Sequence, residues 1–300
     1  MNKTQQSKKQ VPGYYRRAVG DLLVTALYDG YINLAPSLFH GLEADALQRL
    51  ITAKFQEQTA DGVPTAVTAY LIDNGDSVTL LNAGGSQSPV ATMGEIMSSL
   101  QASGYSADDV TAVLLTHMHF DHVCGLVKPD GTAAFPNATV YVSEQESGFW
   151  LNAETARNAP EGSRAFFAIV AGSVAPYKAR GAFKTFAEGE VLPGIRALAT
   201  PGHTPGHTSF LIDLGGEALL LWGDIVHSHA LQFRYPEISN DFDSDQAQAV
   251  TTRQELFKTA AKEGWLIAGD HLPFPGFGHL RTESQGYEWV PVEYSQNIQV

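Results

Sequence analysis

From about Tyr14 the chain alternates short apolar runs with polar turns, and the spacing of the runs predicts strands and helices in mixed order. Leu22–Leu27 reads as a strand that ends at Asp29-Gly30. Thr65–Ile72 and Ser77–Leu81 read as two more, with Asp73-Asn74-Gly75-Asp76 as the hairpin turn between them. A helix is expected over Met93–Ser103, stopped by Gly104. Ala112–Thr116 has no alternation at all, the pattern of a strand buried on both faces. Thr139–Val142 follows as a strand and Glu144–Asn152 as a helix, while Ala153–Arg180 reads as helix and loop. Ile195–Ala199, Thr208–Leu214 and Ala218–Trp222 are strand-like. Ser244–Ala261 reads as a helix capped by Ser244 or Asp243, and Trp265–Ala268 as the last core strand. There is no linker-like or repetitive stretch, so residues 13–300 are expected to form one domain behind a polar tail at residues 1–12. Two halves of strands and helices, each feeding polar loops at one edge, suggest a β-sandwich flanked by helices.

The composition narrows the class. With 44% hydrophobic and 17% charged residues in 300, the chain can bury a large core. Its net charge of -13 makes it a poor candidate for gripping a nucleic-acid backbone. No apolar run approaches a membrane span or a secretory leader, and the single cysteine, Cys124, cannot form an intrachain disulfide. A cytoplasmic protein with no membrane or nucleic-acid partner is therefore expected. Cys124 itself reads as a small buried residue.

Four polar loops carry the candidate chemistry. Thr116-His117-Met118-His119-Phe120-Asp121-His122 places His117, His119, Asp121 and His122 directly after an apolar strand. Imidazoles and a carboxylate packed this closely make sense around cations. In Thr200-Pro201-Gly202-His203-Thr204-Pro205-Gly206-His207, glycine and proline build a rigid turn. His203 is the ligand candidate there, and His207 a supporting residue. Asp224 ends the run Leu219–Trp222 and could bridge two cations with its two oxygens, since a carboxylate at the end of a buried strand is costly unless paired. His271, after Leu266–Ala268, would complete a second site, with His279 as its rival.

The series His-x-His-x-Asp-His, Gly-His-Thr-x-Gly-His, Gly-Asp and Gly-Asp-His resembles the metallo-β-lactamase superfamily over nearly the whole chain, from about Gly20 to Leu280. The resemblance implies an αββα sandwich with its metals at one sheet edge. It also implies one divalent ion, expected to be zinc, on His117, His119 and His203. A second would sit on Asp121, His122 and His271, with Asp224 between the two. The zinc β-lactamases' cysteine ligand is missing, and His119 stands where redox members tend to carry Glu. The stretches Trp222–His227, Asp241–Asp245 and His271–His279 further resemble the methyl parathion hydrolase and lactonase group, whose members are typically homodimers. One departure is Leu81-Asn82-Ala83-Gly84, where the family usually has Asp-Thr-Gly, so that Asn82 replaces a supporting carboxylate.

The chemistry expected is hydrolysis. Two cations close together lower the pKa of a shared water, and the hydroxide attacks a carbonyl carbon or phosphorus. Asp121 can also take or orient a proton, and His227 can donate to the substrate oxygen or leaving group. Phe149, Trp150, Phe274 and Phe277 could wall an apolar pocket. The expected substrate is a small neutral ester or lactone, with organophosphate triesters as the alternative. A non-catalytic scaffold and a nucleic-acid-processing enzyme are the rivals from other classes; four intact ligand loops disfavour the first, and the acidic balance disfavours the second.

Overall fold

The computed structural model describes residues 10–213, 217–296 and 298. Strand β3 (Phe39–His40) pairs with β13 (Ser239–Asn240) in a small ribbon, and the remaining strands build two seven-stranded sheets. In spatial order the first contains β1 (Tyr14–Val19), β2 (Leu22–Leu34), β4 (Val63–Asp73), β5 (Val78–Leu81), β6 (Val110–Leu114), β7 (Thr139–Ser143) and β8 (Phe183–Phe186). The second runs from β9 (Gly189–Leu192) through β10 (Ile195–Ala199), β11 (Thr208–Asp213), β12 (Ala218–Leu221), β14 (Leu266–Ala268) and β15 (Phe277–Thr282) to β16 (Tyr287–Pro291).

The period of two along each strand sorts its side chains between layers. Leu219 and Leu221 of β12 point into the space between the sheets, as do Leu266 and Ala268 of β14, Tyr70 and Ile72 of β4, and Leu114 of β6. Leu220 and Ile267 point the other way, onto Phe257 of helix α7 (Gln246–Glu263). On the outer face of the first sheet, Leu71, Leu80 and Val113 meet Leu100 of α2 (Ile96–Ala102) and Val170 and Val174 of α6 (Glu161–Ala179). The layers are therefore helix, sheet, sheet, helix. Because the central strands are covered on both faces, their sequences read as unbroken apolar runs; each fully buried leucine contributes about 1.5–3 kcal/mol. Helix α1 (Ala44–Ala53) packs Leu47 and Ile51 on Leu34, Phe39, Leu231 and Ile238.

Several elements differ from their sequence expectation. Strand β2 does not stop at Asp29-Gly30 but continues through a bulge to Leu34. Gly30 has φ 142, and a Cβ there would lie 2.0 Å from Thr92 O. Asp29 turns its carboxylate onto the backbone N–H groups of Gly85, Gly94 and Ile96 at 2.7, 3.2 and 2.9 Å, so it caps α2 instead of opening a turn. Helix α7 is capped by Asp245, which accepts from Gln248 N at 2.9 Å, and not by Ser244 or Asp243. β14 is not the last core strand, since β15 and β16 extend its sheet. The stretch after residue 153 resolves into α5 (Ala153–Asn158), α6 and β8. Residues 1–9 of the expected tail, and Leu214, lie outside the described residues.

Candidate metal centre

Each polar loop leaves the end of a buried strand, and the sandwich brings those ends together. His117 and His119 follow β6. Asp121 and His122 occupy the short helix α3 (Phe120–Val123). His203 sits on the turn between β10 and β11, Asp224 follows β12, and His271 follows β14. These seven side chains form two groups that could each hold a metal ion: His117, His119, His203 and Asp224, and Asp121, His122, Asp224 and His271. Within each group the ligand atoms lie within 4.8 Å of one another, and Asp224 belongs to both. His279 stands apart on β15, its Nδ1 3.0 Å from Trp265 O.

Asp224 Oδ2 lies 3.0 Å from His271 Nε2, 3.3 Å from His203 Nε2 and 3.6 Å from His117 Nε2, while Oδ1 lies 3.2 Å from His122 Nε2. Asp121 Oδ2 is 3.4 Å from His271 Nε2 and 3.5 Å from His122 Nε2. Yet His117 Nε2, His122 Nε2 and Asp224 Oδ1 make no hydrogen bond although all three are buried. All three belong to the groups whose ligand atoms lie close enough together to share an ion. Buried polar atoms left in this way are costly, and five imidazoles with two carboxylates are the donor set of borderline divalent ions. The residues present fit divalent metal binding.

The outer ring nitrogens are held from behind. Nδ1 of His117 faces Thr116 Oγ1 at 3.0 Å, Nδ1 of His203 faces Asp243 Oδ1 at 3.1 Å, and Nδ1 of His271 donates to Ala66 O at 2.9 Å. Nδ1 of His122 lies 3.3 Å from Asp270 Oδ2, close but out of line for a hydrogen bond. Such partners fix ring orientation and tautomer. His207 is buried, donates through Nδ1 to Thr200 O at 3.1 Å, and accepts from Asp224 N at 3.0 Å through Nε2; it sets the backbone that carries Asp224. Asn82, 2% exposed with φ 59, lies behind His117 and His122.

The cluster's electrostatics divide its histidines. Burial, reinforced by the neighbouring imidazole of His122, pushes His117 well below the usual histidine range. Burial opposes the charge of His203 and His271 as well, but the carboxylates around them outweigh it and raise both to about 9. Burial likewise opposes ionisation of Asp224, and the imidazoles of His122, His271 and His117 hold it well below the carboxylate range all the same.

A cavity of about 320 Å³ opens over the cluster, bordered by Ile32, Met118, Phe120, Trp150, Phe166, Val170 and Phe242 beside His119, Asp121, His203, Asp224, His227 and His271. Of the four aromatics expected to wall it, only Trp150 does. Phe149 packs on Trp150 and Phe167, with ring centroids 5.2 and 5.6 Å away. Phe277 is 1% exposed in the layer between the sheets, against Tyr70, because its place on β15 turns it inward. Phe274 meets Tyr28 edge-on and borders a second cavity, of about 560 Å³, beyond His227 and His271. His227 borders both cavities, its Nε2 3.2 Å from Asp224 Oδ2.

Three supporting carboxylates were not read as site residues in the sequence. Asp270 and Asp243 stand beside recognised residues, and proximity to a ligand was the only signal. Glu146, on α4 (Glu144–Trp150), gave none. It is fully buried and accepts from Met118 N, Trp150 Nε1, Thr204 Oγ1 and Gly206 N at 2.8, 2.8, 2.7 and 3.0 Å. It thereby ties the His117–His119 loop to the His203 loop.

A family model of the metallo-beta-lactamase superfamily matches residues 62–271. The chain belongs to the metallo-beta-lactamase superfamily. Among its superfamily relatives of solved structure is the hydrolase AbOPH, 40% identical with a TM-score of 0.92, the match covering 96% of this chain and 100% of that one. The dizinc quorum-quenching lactonase AidC, solved with the product N-hexanoyl-homoserine, is 28% identical with a TM-score of 0.84 over 95% of this chain and 99% of its own. The N-acyl homoserine lactonase AiiA of Bacillus thuringiensis subsp. kurstaki is 30% identical over 118 residues, and that match spans 39% of each protein. The superfamily's layered fold and its hydrolytic, metal-dependent chemistry agree with the site described above. Among the described residues no helix is long and apolar enough to cross a membrane.

Proposed function

We propose that this protein is a dinuclear zinc hydrolase of lactones and carboxylic esters. The observation that carries the proposal is the pair of ligand groups sharing Asp224 at the floor of an apolar cavity with no Lys or Arg among the described residues of its wall. Such a wall suits a neutral substrate with an apolar arm and gives a carboxylate or phosphodiester no partner. The similarity to AidC over most of both chains supports a lactone among the candidates.

Divalent ions bound at the two groups supply Lewis acidity toward the developing negative oxygen and hydroxide near neutral pH. The chain's own residues do the rest. Burial, acting against the pull of Asp224, depresses His227 to about 4, so its imidazole is neutral at working pH. Asn240 Nδ2 approaches Nδ1 of His227 at 3.4 Å, which leaves the ring proton on Nε2, 3.2 Å from Asp224 Oδ2 at the border of the cavity; with Asp224 turned to the ions, that proton is free for a substrate. His227 can therefore donate to the substrate oxygen or to the leaving oxygen. Asp121 borders the cavity and is held as a carboxylate by His122 and His271, which outweigh the cost of its burial; it can accept a proton there. Trp150, Phe166 and Phe242 take the apolar arm and exclude water.

Organophosphate triesters are the second reading. They too are neutral and apolar, and the stretches around Asp224, Asp243 and His271 resemble methyl parathion hydrolases. A homodimer belongs to the proposal on that resemblance alone. One domain over residues 13–300 is supported by β16, which returns to pair with β15 in the sheet that holds β12 and β14. A substrate panel at equal enzyme and metal tests the assignment. Lactones and activated aryl esters are expected to lead in kcat/KM, triesters to follow, and β-lactams to be poor. A β-lactam or phosphodiester leading by tenfold, about 1.4 kcal/mol of transition-state preference, would overturn it.

A further inference from the structure

A single amide lies between the two ligand groups. Asn82 occupies a left-handed backbone position, φ 59, which asparagine tolerates better than most residues. Its N–H donates to Leu114 O at 2.9 Å, and the next residue, Ala83, donates to His122 O at 2.8 Å. The segment is thus pinned both to the end of β6 and to α3. Asn82 Oδ1 accepts from Thr116 N at 3.0 Å and lies 3.2 Å from Thr116 Oγ1. Asn82 Nδ2 lies 2.5 Å from Asp270 Oδ2 and 3.1 Å from Thr116 Oγ1. Beyond these partners stand one histidine of each group: Thr116 Oγ1 faces His117 Nδ1, and Asp270 Oδ2 faces His122 Nδ1.

We propose that Asn82 positions His117 and His122 through opposite ends of its amide, with Asn82 and Asp270 acting as a matched donor–acceptor pair. The inference rests on the metal-binding part of the function proposed above. Its basis is an account of the protons. For His117 to present a lone pair at Nε2, Nδ1 must carry the hydrogen and donate to Thr116 Oγ1. The threonine hydroxyl then donates to Asn82 Oδ1, beside Thr116 N, which can only donate. On the other side, His122 presents Nε2 when Nδ1 carries the hydrogen, and the carboxylate oxygen nearest that nitrogen is Asp270 Oδ2 at 3.3 Å, an electrostatic contact rather than an aligned hydrogen bond. The same oxygen takes the Nδ2–H of Asn82. The amide orientation follows from these neighbours, because the flipped form would set Oδ1 against a carboxylate oxygen and Nδ2 against a backbone N–H.

Only an amide serves both sides. Aspartate at position 82 could accept from Thr116 but could not donate to Asp270. Two carboxylate oxygens would then stand where a 2.5 Å hydrogen bond is now, out of reach of solvent. Asn82→Asp, the carboxylate usual in the family, is therefore expected to weaken the centre of this chain. Exchanging both residues restores one donor and one acceptor between positions 82 and 270 with the direction reversed, but sets the NH2 of the new amide at position 270 against His122 Nδ1–H.

The test is a double-mutant cycle of Asn82→Asp, Asp270→Asn and the two combined. Zn2+ affinity is read by competition with a chromophoric chelator, and thermal midpoints are read on the metal-free proteins. Each single variant is expected to bind zinc about 10- to 100-fold more weakly, the usual effect of losing a residue that orients a ligand. The double variant should recover a higher metal-free midpoint than Asn82→Asp, while its zinc affinity stays below that of wild type because His122 Nδ1–H then faces a donor. Wild-type affinity in Asn82→Asp, or a double variant whose metal-free midpoint is no higher than that of Asn82→Asp, would overturn the pairing. Should Asn82→Asp fail to fold, 15N-histidine NMR of the zinc-loaded wild type decides instead. The proton of His117 and of His122 is expected on Nδ1 and protected from exchange, and a proton on Nε2 of either overturns the proposal. None of these readouts uses turnover, so a protein that shows the coupling but hydrolyses no ester would sink only the substrate assignment. One that binds no zinc would sink the function, while the metal-free midpoints would still judge the pair.

Discussion

Replacing Glu146 by glutamine should loosen the metal centre from a position that touches none of its ligand atoms. Four donors point at this carboxylate, two at each oxygen: Met118 N and Trp150 Nε1 at Oε1, Thr204 Oγ1 and Gly206 N at Oε2. Glutamine offers one acceptor oxygen and an NH2 group in the same volume. The oxygen must face Met118 N and Trp150 Nε1, neither of which can accept. The NH2 then faces Thr204, whose hydroxyl can rotate to accept, and Gly206 N–H, which is left without a partner. A buried orphaned donor costs about 1–3 kcal/mol, and the two surviving bonds lose their charge assistance, about 1 kcal/mol together. Burial pushes the Glu146 pKa up, so removing the charge returns part of that cost. The net expectation is a loss of about 2 kcal/mol, or about 3 °C in thermal midpoint for a chain of this size. Met118 lies between His117 and His119, and Gly206 beside His207, so zinc affinity should fall by about tenfold as well. Calorimetry of the metal-free variant reads the first quantity and chelator competition the second. A midpoint within 1 °C of wild type, with unchanged affinity, would refute the idea that Glu146 clamps the two loops.

Two further outcomes follow from the cluster. His227→Ala should lower kcat/KM about 100-fold while metal content stays near that of wild type, because the proposed mechanism has the side chain donate to substrate and it is not one of the grouped ligands; elemental analysis beside turnover checks this, and normal turnover would remove His227 from the chemistry. Zinc affinity should rise with pH between about 6.5 and 9. His203 and His271 are raised to about 9 in the metal-free chain, above an unfolded value of about 6.5. Their protonated forms stabilise that chain fully below pH 6.5, and the contribution is lost as pH rises through 9. Metal needs the neutral rings, so uptake displaces those protons. Titration calorimetry in buffers of different ionisation enthalpy measures the release, and a pH-independent affinity would contradict it.

The sequence showed the strands that matter because they are covered on both faces. Ala112–Leu115, Leu219–Trp222 and Leu266–Ala268 are unbroken apolar runs, and each stops where a ligand loop begins. Elements whose pattern serves a tertiary contact were harder to read. Asp29-Gly30 looks like a turn, but Asp29 caps α2 and Gly30 makes room for Thr92 O, so β2 runs on. Asp243 looks like a helix cap, but its oxygen is spent on His203 and the cap passes to Asp245. The pocket was the least legible part. Aromatic residues near the ligand loops in sequence need not face them, and Phe277 is turned into the core by the strand it begins. Phe166 and Val170 reach the cavity from α6, a helix far from any motif. Asn82 read as a lost carboxylate until the structure placed Asp270 against its amide.

The metal count tests the central claim most directly. Protein stripped with chelator, reconstituted with zinc and freed of excess should carry close to two equivalents per chain by elemental analysis, one for each group that Asp224 joins. A firm stoichiometry of one or zero would contradict the dinuclear centre and, with it, the hydrolytic chemistry assigned to these seven residues.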